Sequence, residues 1–432
     1  MSDLLGNING VTDYYPQNMR NLEYIFEKFK KISELYCYNR YDTSILEKTD
    51  IYKIKTNNDD IYKELYTFES EGKNICLRPE STTSLVRLAK NMNNEPNMKL
   101  YNIGQYFRFE KNPNKYRKRC FYQWNVDIIN CYETSSEIEI LDMLLSFFVE
   151  INISNDIEIR ISHRGAINYF LNTEMNIDIN SDEVTKLYNI IDKINNVSRE
   201  QTMIDLTNLK IMENKNIDII FEFILEKNID ILIQKYDKNI HLVQLKNIID
   251  TLSKLGMDMI KLDMTIVRGL NYYTGMVFEV FSKNKKINRA IAGGGRYDSI
   301  FTAFGQKARK CCGFAVGDVV LLELLKELKK LPDDNHIDYC IIPMNNTMYV
   351  DSLFMAKNIR AKNKSVCVYT NDSPYKLRSA YNYTDRMNAS FAILVTENYC
   401  IDGLVSIKNM NLEEKDPNKN ISVNFQEYLI SI

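Results

Sequence analysis

Two aromatic-rich segments joined by a short basic stretch constrain the fold of this chain more than any other feature. The segments cover residues 101–110 and 121–129, and β-branched and aromatic residues dominate both. The stretch between them, 111–119, contains an Asn-Pro-Asn turn signal and five cations. This pattern predicts two antiparallel strands that form a hairpin with a basic tip.

Side chains of a β-strand alternate between its two faces, so the hairpin also predicts which polar groups lie together. Arg108 and Glu110 share one face of the first strand, and Gln123, Asn125 and Asp127 share one face of the second. A cation, amides and acids could therefore converge on one sheet surface. A surface hairpin with a solvated basic tip is the alternative interpretation.

Length and charge exclude several classes of protein. A chain of 432 residues is expected to form roughly two to four domains. The net charge of −2 excludes a globally basic nucleic-acid coat, although a local basic patch remains compatible with it. We expect no membrane association, because no apolar stretch approaches the roughly 20 residues of a membrane span and the N-terminus shows no signal segment.

Cysteine and histidine usage argues against a metal site. The nine cysteines show no CxxC spacing, which predicts reduced thiols in a cytosol-like compartment and no zinc site. The three histidines lie far apart in sequence and are expected to be structural or solvated.

Secondary-structure patterns divide the chain into four segments. The first, 1–155, contains a helix over 16–38, a strand within 41–53, strands at 64–68 and 74–80, a helix to about residue 90, the hairpin, and a helix over 135–149. Segment 156–258 has little glycine and apolar residues at helical spacing, which predicts a helical insertion. Segment 259–331 contains a predicted strand pair at 267–281, a glycine cluster at 293–295, and a strand at 312–317 that leads into a helix. Segment 335–432 alternates strands with helices, which predicts a small βαβ-type domain.

Several motifs occur in a fixed order, and together they identify a known family. They are Gly-Val-Thr-Asp-Tyr-Tyr-Pro at 10–16, Leu-Arg-Pro-Glu at 77–80, Phe-Arg-Phe-Glu at 107–110, Phe-Tyr-Gln at 121–123, Arg-Gly-Leu-Asn-Tyr-Tyr at 268–273, and Gly-Gly-Arg-Tyr-Asp at 294–298. The chain resembles histidyl-tRNA synthetases, which are class II aminoacyl-tRNA synthetases. The resemblance implies an α+β fold: an antiparallel sheet flanked by helices, a helical insertion and a C-terminal α/β anticodon-binding-type domain.

The resemblance also implies a reaction and its partners. The family activates histidine with ATP to histidyl-adenylate and transfers the histidine to the 3′ end of tRNA(His). It implies ATP as a substrate with Mg²⁺, no tightly bound metal or organic cofactor, a homodimer, and a cytoplasmic location.

Two arginines are expected to be catalytic. Arg108 matches the motif 2 arginine that holds the α-phosphate and the amino-acid carboxylate, and Arg268 matches a second arginine on the opposite side of that phosphate. Guanidinium suits this role because it stays protonated and binds phosphate in a bidentate manner. Glu110 and Phe121 match the residues that bind and stack on adenine. For Arg268, a strand-end salt bridge is the alternative.

The remaining expected contacts also come from the resemblance. Glu80, Thr82 and Gln123 match the positions around the α-amino group of histidine, whereas Asp127 and Tyr273 match those at its ring nitrogens. Two further tyrosines, Tyr272 and Tyr297, are expected beside them, with core packing as the alternative. The cations expected at the tRNA acceptor end are Lys111, Lys115, Arg117, Lys118 and Arg119. C-terminal cations that either contact tRNA or form solvated helix faces are Lys357, Arg360, Lys376, Arg378 and Arg386.

The sequence departs from the family pattern at three positions. Ser44 replaces the proline of motif 1, which builds the dimer interface, and Asn271 replaces the usual aspartate. Val320 replaces the motif 3 arginine that covers the second face of adenine, which removes roughly 0.5–2 kcal/mol of cation–π stabilisation. The alternative hypotheses are a non-catalytic paralogue, suggested by Val320, and a stress-sensing domain that binds uncharged tRNA.

Overall fold

The computed structural model describes residues 5–53, 60–92, 95–179, 181–195, 197–209, 214–267, 272–332, 336–370 and 376–432. The chain divides into two compact units, Met1–Leu331 and Pro332–Ile432. Arg268 and Asn271 lie outside the described residues, so the Arg-Gly-Leu-Asn-Tyr-Tyr motif at 268–273 is described only from Tyr272 onward.

The strands and helices are numbered here in chain order. The strands are β1 (Asn39–Arg40), β2 (Leu46–Lys48), β3 (Thr67–Ser70), β4 (Lys73–Leu77), β5 (Met98–Phe107), β6 (Cys120–Ile129), β7 (Ile157–His163), β8 (Ile260–Leu262), β9 (Met276–Ser282), β10 (Ala290–Arg296), β11 (Cys311–Gly317), β12 (Ile337–Pro343), β13 (Val366–Val368), β14 (Ala389–Val395), β15 (Leu404–Asn409) and β16 (Asn420–Asn424). The helices are α1 (Pro16–Leu35), α2 (Asp50–Lys53), α3 (Asp60–Lys63), α4 (Thr82–Ala89), α5 (Ser135–Glu150), α6 (Arg164–Tyr169), α7 (Asp182–Lys193), α8 (Arg199–Asn208), α9 (Asn214–Leu225), α10 (Ile229–Lys235), α11 (Ile240–Lys254), α12 (Ile300–Ala303), α13 (Asp318–Glu327), α14 (Tyr349–Arg360), α15 (Leu377–Arg386), α16 (Glu397–Asp402) and α17 (Phe425–Ser431).

The first unit is organised around an eight-stranded sheet with the order β1-β5-β6-β11-β10-β9-β7-β8. Only its two outer pairs, β1–β5 and β7–β8, are parallel among the described strands. A smaller three-stranded sheet, β2-β4-β3, lies in the same unit. The expected α+β architecture with a mainly antiparallel sheet is confirmed.

The predicted hairpin is formed by β5 and β6, which pair antiparallel from Met98↔Ile129 to Phe107↔Cys120. β5 ends earlier than expected, so Arg108 and Glu110 follow the strand rather than continuing its face. The physical reason is a tight turn, in which the Glu110 amide donates to the carbonyl of Arg108 at 2.8 Å.

Helices α1, α5 and α13 pack against one face of the sheet and build the main core. The predicted apolar face of α1 is buried, including Leu22, Ile25 and Phe29. The Phe29 ring stacks on Trp124 of β6 with centroids 4.8 Å apart, and Phe147 of α5 completes the cluster at 4.9 Å from Phe29. This aromatic layer supports the strand whose opposite face carries the polar residues of the hairpin.

Two predicted elements differ from the structure, and a third is only partly described. The segment expected to be helical from residue 156 begins with strand β7, because Ile157, Ile159 and Ile161 alternate with polar residues and β7 pairs with β9. Helices follow from α6 to α11. In 41–53 only β2 is a strand, and α2 follows it. Of the predicted strand pair at 267–281, the second strand is β9, whereas residues 268–271 of the first lie outside the described part.

The second unit contains a five-stranded sheet with the order β13-β12-β14-β15-β16. β12 pairs in parallel with β13 and β14, which confirms the predicted βαβ arrangement with α14 and α15 as the connecting helices. The antiparallel pairs β14–β15 and β15–β16 were not predicted. None of the described helices in either unit is long and apolar enough to cross a membrane.

Candidate active site

A polar cavity of about 560 Å³ lies over the sheet of the first unit, next to the β5–β6 hairpin. Its volume is typical of sites that bind small molecules. The predicted site residues that line it are Glu80, Thr82, Arg108, Glu110, Phe121, Gln123, Asp127, Tyr272, Tyr273 and Tyr297. Arg268 lies outside the described residues. All the described residues that were predicted to bind histidine or ATP therefore line one cavity.

The floor of the cavity is the polar face of β6, which carries Gln123, Asn125 and Asp127 as the period-two pattern predicts. Asp127 lies opposite Gly313 of β11. A Cβ atom at Gly313 would lie 2.6 Å from Asp127 Oδ1 and 2.3 Å from the carbonyl oxygen of Val126. Glycine is required there because any larger residue would displace the Asp127 carboxylate. Nothing in the sequence pattern singled out Gly313.

One end of the cavity combines a buried carboxylate with three tyrosines. Asp127 is only 4% exposed, and the Tyr297 hydroxyl donates a hydrogen bond to its Oδ1. Burial, followed by the nearby Asp127 charge, raises the pKa of Tyr297 well above its usual value, so this hydroxyl remains a donor. The Tyr272 ring packs 4.7 Å from Tyr273 and 5.6 Å from Tyr297. The arrangement offers an acceptor and aromatic walls to a small polar ring.

A turn between β4 and α4 forms a second wall. The Glu80 carboxylate accepts hydrogen bonds from the backbone amides of Thr82 and Thr83 at 2.8 and 2.9 Å. Ser81, the residue before α4, makes no capping hydrogen bond with its side chain, and the Glu80 carboxylate performs that function. Arg108 Nε donates to the carbonyl of Pro79 at 3.0 Å, which ties this turn to the hairpin.

A buried arginine that was not predicted supports the same turn. Arg78 is 2% exposed, and its guanidinium donates to Asp42 Oδ1 at 2.7 Å and to the carbonyl of Gln105 at 2.9 Å. It also lies 4.8 Å from the ring centroid of Tyr106. The position of Arg78 inside the Leu-Arg-Pro-Glu motif at 77–80 could have indicated a role at the site.

The hairpin forms the end of the cavity that is expected to hold a nucleotide. The Arg108 guanidinium lies 5.3 Å from the centroid of the Phe121 ring. Glu110 forms an ion pair with Arg117 of the connecting loop at 2.9 Å. A flat aromatic ring, a guanidinium and a carboxylate therefore occur together where the motifs predicted adenine and phosphate to bind.

The cations of the connecting loop divide into two groups. Arg117 and Lys118 line the cavity, whereas Lys111 and Lys115 are exposed at the tip of the loop. Arg119 Nε donates to a backbone carbonyl of the same loop at 2.9 Å. Contact with tRNA stays a prediction for all of them.

Helix α13 begins at the position of motif 3. Val320 lies in its first turn, lines the cavity and is 8% exposed, so no cation occupies the arginine position of the family. Asp318, which sequence reasoning missed, is buried at the start of the helix. Its carboxylate accepts from the Tyr122 amide at 3.0 Å and from the Tyr14 hydroxyl at 3.2 Å. Burial raises the pKa of Asp318 to about 6.

The lead-in at 10–16 holds the outer side of the hairpin loop. The carbonyl of Gly10 accepts from the Arg119 amide at 2.7 Å. Gly10 has a φ of +82°, and a Cβ atom there would lie 2.7 Å from Pro113 Cβ. Glycine is needed at this position for both its backbone conformation and the close approach of the loop.

Within the described residues, no group of three or more histidine, cysteine, aspartate or glutamate side chains could hold a metal ion. All nine cysteines are free thiols.

The sheet, the arginine-bearing hairpin over its polar face and the mixed α/β second unit define a class II aminoacyl-tRNA synthetase. A family described as histidyl-tRNA synthetase matches residues 10–318. A chloroplastic/mitochondrial histidine–tRNA ligase of Arabidopsis thaliana is 32% identical over 94% of this chain and 83% of its own length. A histidine–tRNA ligase of Methanococcus vannielii is 30% identical over 94% of this chain and 96% of its own length.

Solved structures have the same fold. The crystal structure of histidyl-tRNA synthetase from Nostoc sp. PCC 7120 covers 99% of each chain with a TM-score of 0.81 and 18% identity. The chain therefore belongs to the histidyl-tRNA synthetase family, whose members are aminoacyl-tRNA ligases.

Proposed function

We propose that this protein activates L-histidine with ATP to form histidyl-adenylate and then transfers the histidine to tRNA(His). The proposal rests on one observation: the same cavity contains the Asp127–Tyr297 pair and the Arg108–Phe121 pair. The first pair lies at one end of the cavity and the second at the other. An amino acid and a nucleotide bound at these two ends would meet between them.

In the first step, a carboxylate oxygen of histidine attacks the α-phosphorus of ATP and the bond to the β-phosphate oxygen breaks, which releases pyrophosphate. No covalent enzyme intermediate is needed, so positioning and charge stabilisation supply the catalysis. Arg108 is proposed to hold the α-phosphate, and Arg268 to bind it from the opposite side. In the second step, a hydroxyl group at the 3′ end of the tRNA attacks the histidyl carbonyl and AMP leaves.

Recognition of histidine rests on pairing of its ring nitrogens. The Asp127 carboxylate is proposed to accept a ring N–H, while Tyr273 binds the second nitrogen. Glu80, Thr82 and Gln123 are proposed to bind the α-amino group. A site built for such hydrogen bonds rejects analogues that lack them by about 10⁴-fold in favourable cases, because its polar groups would stay unpaired.

Mg²⁺ is proposed to enter with ATP. This ion typically binds through substrate phosphates and only one or two carboxylates, and the cavity offers Glu279 as such a carboxylate. Equilibrium dialysis with and without ATP tests this assignment.

A homodimer and a cytoplasmic location are also proposed. The dimer follows from the family resemblance, and sedimentation of the purified chain would test it. Free cysteines throughout the chain support a reducing compartment. Cell fractionation would separate the cytoplasm from an organelle.

The decisive experiment is histidine-dependent exchange of pyrophosphate into ATP. We expect exchange with the native chain and a loss of about 10³-fold or more in the variant Arg108→Ala, because a transition-state contact is removed. Absence of exchange with histidine would contradict the proposal.

Val320 favours one alternative function, a non-catalytic paralogue that binds histidine or tRNA. Calorimetry separates the two candidates. Histidine binding without ATP binding would support the paralogue, whereas tight ATP binding excludes it.

A further inference from the structure

The wall formed by α13 contributes no cationic side chain to the cavity. Its lining residues are Asp318, Val319 and Val320. Among the described lining residues, the carboxylates are Glu64, Glu80, Glu110, Asp127, Glu279 and Asp318, and the Lys and Arg cations are Arg108, Arg117 and Lys118. Carboxylates thus outnumber these cations, although the proposed substrate is a polyanion. Each of the cations should therefore contribute strongly to nucleotide binding.

Lys118 differs from the other two cations. Arg108 donates to the carbonyl of Pro79, and Arg117 forms an ion pair with Glu110. Lys118 is half-buried, and its ammonium makes no hydrogen bond or ion pair with any residue that the structure describes. A half-buried lysine that lines a cavity and whose ammonium lacks such a partner is available to bind an anion.

Lys118 lies close to the start of α13. Lys118 and Asp318 line the main cavity together, and both also line a small adjoining cavity of about 60 Å³. The hydrogen bond from the Tyr122 amide to Asp318 joins the base of the hairpin loop to the start of the helix. Lys118 therefore lines the cavity near the wall that α13 forms.

We propose that Lys118 supplies the positive charge that α13 lacks, and that its ammonium binds the phosphate groups of ATP rather than tRNA. Asp318 is a positioning residue, because its buried carboxylate attracts the ammonium toward this wall. A lysine suits the task because a compact charge binds phosphate oxygens without demanding one orientation. The inference rests on the proposed ATP-dependent function and adds a residue that binds the nucleotide.

Pyrophosphate exchange without tRNA tests the proposal. We expect Lys118→Ala to raise the KM for ATP about 10- to 100-fold, as expected for loss of one charge-assisted contact, and to change the KM for histidine less than about twofold. Lys118→Arg should restore most of the ATP affinity. The matched control is Lys326→Ala, since Lys326 lines only the small cavity and its ammonium is paired with Glu323 at 2.8 Å.

A second-site variant separates a direct role from a structural one. Introducing Val320→Arg into the Lys118→Ala variant returns an arginine to the α13 wall, and it should lower the KM for ATP again by about tenfold or more. A purely structural role of Lys118 predicts no such rescue, so an unchanged KM would overturn the proposal.

Two further outcomes would distinguish failure of the Lys118 proposal from failure of the proposed function. If Lys118→Ala leaves the KM for ATP unchanged and raises only the KM for tRNA, the proposal is wrong and Lys118 is a tRNA contact. If the native chain shows no exchange at all, the proposed function fails. Direct calorimetric titration with ATP then still tests Lys118, since weaker ATP binding by Lys118→Ala would support its role and equal binding would overturn it.

Discussion

The two buried carboxylates Asp127 and Asp318 line the same cavity, but their different surroundings predict different functions. Asp127 accepts a hydrogen bond from the Tyr297 hydroxyl and lies among aromatic rings. Asp318 accepts one hydrogen bond from Tyr14 and one from a backbone amide, and it lines the cavity beside Lys118. Burying a carboxylate is costly unless polar groups compensate for the lost water. We therefore expect Asp127 to bind the imidazole ring of the proposed histidine substrate and Asp318 to position the ammonium of Lys118.

Substitution of Asp127 should affect histidine far more than ATP. We expect Asp127→Ala to lower kcat/KM for histidine by about 10²- to 10³-fold, because a buried charged acceptor for the ring is lost. The KM for ATP should change little, and exchange kinetics at varied concentrations of each substrate measure both values. Tyr297→Phe retains the ring packing and provides the milder comparison. Equal losses for the two substrates would contradict the assignment of Asp127 to histidine.

Asp318 should make stability depend on pH. Its pKa is raised by burial from 3.8 to about 6, so the folded chain binds this proton more tightly than the unfolded chain does. The ionised form therefore destabilises the fold above about pH 6, by on the order of 3 kcal/mol, and has no effect below about pH 4. Asp318→Asn removes this dependence and still offers an acceptor to the Tyr122 amide.

Urea unfolding of both proteins between about pH 4 and pH 8 measures the effect. The stability of Asp318→Asn relative to the native chain should rise as pH increases through the interval between the two pKa values. Parallel pH profiles would show that Asp318 ionises in the folded protein as it does in the unfolded one.

At the scale of elements, strongly patterned segments were predictable from sequence. α1, the β5–β6 hairpin and the β11–α13 junction occur near their predicted positions, and the strands β12 to β14 alternate with helices as predicted for 335–432. β7 was missed because its alternating Ile-Glu-Ile-Arg-Ile pattern is short and precedes a long helical region, and period alone is ambiguous over so few residues.

The residues of the site could be predicted only where they belong to a recognisable sequence motif. The polar face of β6 follows from alternation along one strand. The contacts of Asp318 with Tyr14 and of Gly10 with Pro113 could not be predicted, because they join positions far apart in sequence and depend on how the chain packs. The same holds for Glu80, whose capping of α4 becomes visible only when the turn is formed.

The lead-in at 10–16 should act as a support for the nucleotide-binding loop. Gly10→Ala introduces both a strained backbone, since φ is +82°, and a clash with Pro113. We expect lower thermal stability and a KM for ATP raised roughly tenfold, because the loop that carries Arg117 and Lys118 is displaced. Thermal unfolding and pyrophosphate exchange measure the two effects.

Gly72→Ala is the matched control for this variant. Gly72 has a similar φ of +70°, but a Cβ atom at this position would point into open space, with no contact to another part of the chain within 4 Å. The control should therefore lose about 1–2 kcal/mol of stability through backbone strain alone and keep its KM for ATP. A similar rise in KM for both variants would show that the lead-in does not support the loop.

At the scale of the whole molecule, each unit has its own hydrophobic core. The first contains the aromatic cluster around Trp124, and the second buries Ile341, Met355, Ile393 and Phe425 between its sheet and helices. The described cavity is lined entirely by residues of the first unit. Activation of histidine and binding of the tRNA anticodon are therefore expected to depend on different parts of the chain.

A truncated chain that ends at Leu331 tests this separation. Since the described cavity and its supporting core lie within residues 1–331, we expect pyrophosphate exchange to remain within about tenfold of the native rate. Transfer to tRNA should fall by about 100-fold or more, because the second unit is the proposed anticodon-binding domain and its contacts would be lost. Exchange and aminoacylation measured on the same preparation compare the two steps directly. A folded truncated chain that loses exchange but binds ATP and histidine normally would show that the second unit takes part in the activation step itself.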